Sequence, residues 1–263
     1  MLRLFLSVDL VGSTQFKTRF AGEEGAGWLT TFQTFFTNFP IMLAGQVGFE
    51  FLDDEGSTPA VDVWKVMGDE MIFVAEPKSA EELTSLLRAL FNTIRLYEQK
   101  HFAQLPLRLK GAAWVAEFPE RNIEVEIPEL SSGDGGRHLD YIGPDIDLGF
   151  RIAKFSRPSS VILSLDLIDL LLAADNRDTL ALHLVGREIL KGVMFGRPYP
   201  IVWMRNAEEP FDFLPWEAEE CPLTACAIAS QPTSPEHLEK TIGDMRLFLR
   251  KMHGIHRPRP GLG

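Results

Sequence analysis

Short β-rich runs alternate with helical periodicities along most of this chain, and that alternation narrows the fold to an α+β or α/β sandwich around a mixed sheet. Residues 2–10 read as a buried strand and lead into the loop Val11-Gly12-Ser13-Thr14. Residues 28–39 place Trp28, Phe32, Phe35, Phe36 and Phe39 on one helical face, a spacing that serves a core or a subunit interface. Two β-runs, 61–66 and 70–75, flank Gly68-Asp69 and predict a tight hairpin. The clearest helix covers 79–101, because Ser79 with Glu82 forms a capping signature ahead of a leucine-rich stripe. Further strands are expected at 107–118, 122–127, 161–165, 184–193 and 200–204, and short helices at 146–155 and 167–173. A Ser/Gly-rich loop covers 129–137.

Composition changes after Met204. Residues 208–222 are acidic and contain proline, 230–235 read as a linker, and 237–252 as a helix. The division expected is a domain over 1–205 and an extension over 206–263 with one helix and a flexible basic end. Residues 255–263 should fray there, so their removal should cost little.

The net charge of −11, from 26 basic against 37 acidic residues in 263, repels polyphosphate backbones and argues against nucleic-acid binding. Cys221 and Cys226 have neither the number for a disulfide framework nor the spacing of a zinc or redox motif. The most apolar later stretch, 161–174, is interrupted by Asp166 and Asp169 and is too short for a membrane span. No signal peptide is visible, and a soluble, cytoplasmic protein is expected.

Two carboxylates have settings that suggest chemistry. Asp9 ends an apolar strand before a Gly-Ser-Thr loop, and Asp69 stands at the hairpin tip. If the strands are neighbours, both carboxylates reach one sheet edge beside backbone amides that cradle phosphate. Paired carboxylates there hold magnesium or manganese against a nucleoside triphosphate.

At these residues the sequence resembles the class III nucleotide cyclases. Ser7-Val8-Asp9-Leu10-Val11-Gly12-Ser13-Thr14 is similar to their first metal motif, and Lys65-Val66-Met67-Gly68-Asp69 to their K-x-x-G-D hairpin. Residues 140–151 resemble D-x-x-G-x-x-x-N-x-x-x-R, and Leu190-Lys191-Gly192-Val193 a closing L-K-G-V run. The motifs fall in the family's order over roughly 1–205. The whole chain further resembles the stand-alone bacterial pyrimidine cyclases of antiphage defence.

The resemblance implies a ferredoxin-like α+β sandwich with a mixed, mainly antiparallel sheet. It implies that Asp9 and Asp69, with the backbone carbonyl of Leu10, bind two divalent cations, Mn2+ or Mg2+. Gly12, Ser13 and Thr14 would cradle phosphate, and Lys191 would hold the terminal phosphates. Lys65 and Asp140 would read the base edge, and Arg151 would offset transition-state charge. Asp147 stands where the family has a ribose-orienting asparagine; four residues before Arg151, it is spaced to pair with it. Phe49, Phe51 and Trp64, read as lying on nearby strands, would fill the volume that a purine's second ring occupies. Hydrogen-bond chemistry leaves adenine, cytosine and uracil open.

The expected activity is conversion of UTP to cyclic UMP and pyrophosphate, with the product activating a separate effector in antiphage defence. Cyclic CMP from CTP is the alternative, then adenylate cyclase, then a non-catalytic dimerisation module. The resemblance also implies a homodimer with composite sites, for which the aromatic 28–39 segment would supply an interface.

Overall fold

The first strand, β1 (Leu2–Val11), is apolar on both faces and lies inside the sheet of this computed structural model, which describes residues 1–20, 27–52, 58–128 and 139–262. The Ser/Gly-rich loop at 129–137 lies outside the described residues. β2 (Val61–Met67) and β3 (Glu70–Ala75) form the expected hairpin, followed by β4 (Arg108–Glu117), β5 (Ile123–Glu126) and β6 (Leu139–Ile142). β7 (Val161–Leu163), β8 (Leu180–Glu188) and β9 (Tyr199–Asn206) complete the strands. The main sheet runs β2-β3-β1-β4-β7-β9-β8, antiparallel throughout except at β4–β7, and β5 and β6 form a separate ribbon.

Alternation along β1 divides the sheet's two faces. One side carries Leu4, Leu6 and Val8, and the other Phe5, Ser7 and Asp9. Two long helices, α2 (Gly27–Glu50) and α3 (Ala80–Tyr97), pack on each other over the first face, and a short α1 (Ser13–Phe20) precedes them. Ser79 caps α3 as expected, its hydroxyl accepting from the Glu82 amide at 3.1 Å.

α2 differs from expectation in two ways. It runs on through Pro40 to Glu50, because Phe32, Phe35, Phe39, Leu43 and Val47 form one continuous buried stripe whose packing outweighs the hydrogen bond that proline removes. Phe32, Phe35 and Phe39 are therefore core, with Phe35 and Phe39 fully buried against Tyr97, while Trp28 and Phe36 are half-buried. Phe49 accordingly lies on a helix and is 64% exposed, while Phe51 follows that helix into the core. Neither is on a strand.

The second face is covered by α4 (Pro144–Ala153). Gly149 lets it approach, since a Cβ there would lie 2.2 Å from the Trp114 indole. α5 (Leu165–Leu171) follows β7.

Beyond β9 the chain forms three helices, α6 (Pro215–Glu220), α7 (Pro222–Ala229) and α8 (Pro235–His253), where one was expected. Phe211 and Phe213 stack on each other and against Trp203, and α8 buries Leu238, Ile242, Met245 and Leu249. The basic end is held as well. The Arg257 guanidinium donates to Asp166 at 2.8 Å and to Asp145 at 2.9 Å, both aspartates being almost fully buried. Charge pairing in a dry setting outweighs the fraying tendency of a Pro/Gly-rich end.

Candidate active site

β1, the β2–β3 turn and β4 bring three carboxylates and one lysine to a single sheet edge. Asp9 pairs in register with Glu70 on one side and Lys110 on the other, so all three share the face that α4 covers. The Lys110 ammonium lies 2.9 Å from Asp9. The Ser7 hydroxyl donates to Glu70, and the Ser13 hydroxyl donates to Asp69 at the turn. Gly12, at φ +84, provides the left-handed step that turns β1 into α1 and leaves Ser13 facing Asp69. The Leu10 amide donates to the Asp69 carbonyl at 3.4 Å, tying the turn to the strand end.

Electrostatics mark this edge. Burial raises the Asp9 carboxyl above its ordinary value; Lys110 pulls it down and neighbouring Asp69 pushes it up again. Glu70 is raised too, by burial first, against the Ser7 hydrogen bond and with Asp9 adding to the rise. Excess negative charge at one edge is what a bound cation relieves. Two carboxylates and the Leu10 carbonyl are hard oxygen donors, suited to an ion that keeps water or phosphate oxygens in its other positions. Among the described residues, no group of three or more His, Cys, Asp or Glu could hold a metal. A cavity of about 220 Å³ opens here between the sheet and α4, lined by Asp9, Glu70, Lys110 and Phe150.

A second cluster stands on the edge hairpin. The Lys65 ammonium donates to Asp140 at 2.8 Å and lies 4.7 Å from the Trp64 ring centroid. A register shift between Val63 and Lys65 lets consecutive Trp64 and Lys65 both turn inward. Trp64 packs edge-on against Phe5 and Tyr141, and Phe150 lies 6.2 Å away. Burial opposes ionisation of Asp140, but Lys65 and the Tyr141 amide together hold its carboxyl below the ordinary range.

Asp147 and Arg151 lie on α4, Asp147 exposed and Arg151 half-buried. Contrary to the spacing argument, they make no ion pair among the described residues, and neither bonds to the Asp9–Asp69 edge. Helical spacing permits such a pair, but an exposed aspartate gains little from it in water. Lys191 is exposed in the β8–β9 connection. Thr14 is exposed in the first turn of α1.

Lys110 and Glu70 join the site without a sequence signal of their own. Strand register alone brings them beside Asp9.

No protein-family model matches the sequence, and no curated protein does. Solved structures resemble it in fold. The adenylyl cyclase CyaB from P. aeruginosa aligns with a TM-score of 0.54 and 14% identity, over 78% of this chain and 94% of its own. The guanylyl cyclase Cya2 gives 0.54 and 14%, over 81% and 96%. The guanylate cyclase domain of RhGC from Catenaria anguillulae, in complex with GTP, gives 0.54 and 11%, over 78% and 96%. The chain has the fold of nucleotide-cyclase catalytic domains. No helix among the described residues is long and apolar enough to cross a membrane.

Proposed function

We propose that this chain is a nucleotide cyclase that converts UTP to cyclic UMP and pyrophosphate. The observation that carries this reading is the Lys65–Asp140 pair, a donor beside an acceptor, 2.8 Å apart and backed by Trp64. Such a pair meets the uracil edge with Lys65 donating to a carbonyl and Asp140 accepting from N3–H. The bulk of Trp64 and Phe150 beside it favours a single-ring base. Cytosine fits the same pair through its ring nitrogen and amino group, and CTP is the second reading.

Asp9 and Asp69, with the Leu10 carbonyl, would hold two divalent cations, Mn2+ or Mg2+. Held by these residues, they would supply Lewis acidity toward the ribose 3′-hydroxyl and positive charge beside the triphosphate. Lys110, paired with Asp9 in the free chain, adds a positive charge to the same mouth. Gly12, Ser13 and Thr14 present amides at the start of α1 to phosphate. Arg151, half-buried and without a carboxylate partner among the described residues, is free to offset charge as it develops on the transferring phosphate. Exposed Asp147 would face the ribose hydroxyls, and Lys191 the terminal phosphates. A homodimer supplies the two halves of each site: the carboxylate edge from one protomer, the base-reading pair and Arg151 from the other. Release of a cyclic pyrimidine nucleotide that activates an antiphage effector is the biological role this chemistry fits.

Incubation of the full chain with each of four triphosphates and Mn2+, with products resolved by mass spectrometry, tests the reading. Cyclic UMP as the main product supports it, and cyclic CMP moves the assignment to the second reading. A purine cyclic nucleotide alone overturns the pyrimidine assignment, and no cyclic product from any triphosphate overturns the cyclase.

A further inference from the structure

The C-terminal end of α8 is basic in an acidic molecule. Residues 245–262 contain five arginines and lysines and no aspartate or glutamate, in a chain whose net charge is −11. The β8–β9 connection, residues 189–198, has Lys191 and Arg197 and again no acidic residue. The two segments meet. Phe195 stacks on His253 with ring centroids 3.7 Å apart, and the Arg197 guanidinium lies 4.7 Å from the Phe248 ring centroid.

Apolar side chains share this surface with the cations. The seven successive residues 250–256 are exposed, with Met252 at 68% and Ile255 at 40%, and Phe195 is 61% exposed beside them. The stretch is anchored at both ends, by buried Leu249 before it and by Arg257, paired with Asp145 and Asp166, after it. Met194 and Phe195 adopt φ of +54 and +52, a left-handed pair of non-glycine residues. A strained backbone that leaves a phenylalanine in water carries a cost that an apolar phase would offset.

The charge count stays positive when every neighbouring carboxylate is included. Arg121, Arg246, Arg257 and Arg259 pair with three aspartates of α4 and α5, which leaves one positive charge in excess. Arg197, Arg250 and Lys251 are exposed and have no carboxylate partner among the described residues. Exposed Asp147 shares a cavity wall with Phe195, and exposed Asp244 precedes Arg250 on α8; these two carboxylates are fewer than the three cations.

A nucleic-acid strand long enough to bind would also meet the acidic remainder of the molecule, whereas a planar bilayer meets this end alone. Salt limits the reach of exposed charges to about 8–10 Å, so the acidic groups elsewhere weigh little against a surface touching only here. Methionine, isoleucine and phenylalanine offer nothing to phosphates, but they enter the interfacial layer of a membrane while arginine and lysine stay at headgroup depth. We infer that this end of the molecule docks on an anionic lipid bilayer. Phe195, Met252 and Ile255 enter the boundary between headgroups and acyl chains, and Arg197, Arg250 and Lys251 meet the lipid phosphates. The inference is independent of the catalytic reading, because these residues lie outside the carboxylate edge and the base-reading pair.

The test is co-sedimentation of the full chain with phosphatidylcholine vesicles containing about 30% phosphatidylglycerol. Binding should be at least about tenfold stronger than to phosphatidylcholine alone and should weaken as salt is added. Arg250→Glu with Lys251→Glu, and separately Met252→Ser with Ile255→Ser, should each weaken it at least about tenfold. Far-ultraviolet dichroism and melting temperature should stay unchanged, since all four side chains are exposed. If the charge-reversed pair fails to fold, Lys251→Gln alone should still weaken binding measurably. Absence of binding to the anionic vesicles, or binding that neither pair of substitutions weakens, overturns the docking surface. Equal binding to both lipid mixtures overturns the role of the cations. Retention on heparin without vesicle binding assigns them to a polyanionic polymer and overturns the membrane.

Discussion

Asp69 is held by Ser13 at the hairpin tip, where removing its carboxylate takes nothing from the core. Asp69→Ala and Asp9→Asn should therefore abolish cyclic-nucleotide formation and weaken Mn2+ binding at least about tenfold. The melting temperature should move by only a few degrees. Product assays with a paramagnetic-resonance titration of free Mn2+ check this, and near-normal turnover in either variant would remove the two-carboxylate assignment. These residues are legible in the sequence because each ends a short run with its own signal: an apolar strand before a glycine loop, or a Gly-Asp turn between β-runs. Lys65 is legible through its hairpin motif, and the structure brings it to Asp140, 75 positions away. Lys110 and Glu70 are not legible, because strand register decides what faces Asp9 and periodicity within one strand does not contain it. Phe49 and Phe51 mislead for a different reason. The helical reading ends at Phe39, yet the buried stripe on α2 carries the helix past Pro40 to Glu50.

At the scale of elements, the seating of α4 on β4 decides where Asp147 and Arg151 stand. A methyl at Gly149 would meet the Trp114 ring, and both residues belong to the packed interior. Gly149→Ala should cost about 1–3 kcal/mol by overpacking and reduce turnover by more than the lost folded fraction explains. Thermal melts with activity per folded molecule check this, and unchanged stability would mean that α4 sits less tightly than the contact implies. β8 carries a pH signal. His183 is buried with one ring nitrogen 3.4 Å from the Ser230 hydroxyl and the other unpartnered. Burial, and next the charge of Arg205, lower its pKa from 6.5 to about 4. The unfolded chain takes up this proton more readily, so the stability contribution is complete above the unfolded value. It is lost as pH falls from 6.5 toward about 4, by on the order of 3 kcal/mol. Denaturant midpoints across that window should show the fall, and His183→Phe should flatten it. The fold class, most strands and the capped α3 are legible at this scale. The parallel β4–β7 pairing and the separate β5–β6 ribbon depend on long-range assembly.

For the whole molecule, no element is expected in the acidic, proline-containing segment 208–222, because composition does not reveal that Phe211 and Phe213 pack against Trp203. The chain end is likewise bound rather than frayed: Arg257 bridges Asp145 on α4 and Asp166 on α5. Deleting residues 255–263 should therefore lower stability by about 2–3 kcal/mol, since two buried aspartates lose a partner. A chemical-denaturation midpoint equal to that of the full chain would show the bridge to be energetically idle. The composite site makes the largest claim about assembly. If Asp69 and Arg151 in one site come from different protomers, each single-variant homodimer has both sites broken. Mixing Asp69→Ala with Arg151→Ala chains then forms heterodimers in which one site carries both lesions and the other carries neither. With free exchange, half the dimers are mixed and half their sites are whole, so activity should recover toward about a quarter of wild type, given independent sites. Subunit exchange followed by a fluorescence-transfer pair supplies the control. No recovery despite proven exchange would mean that both residues serve one site from one chain, and the carboxylate edge would then have to meet Arg151 within a single protomer.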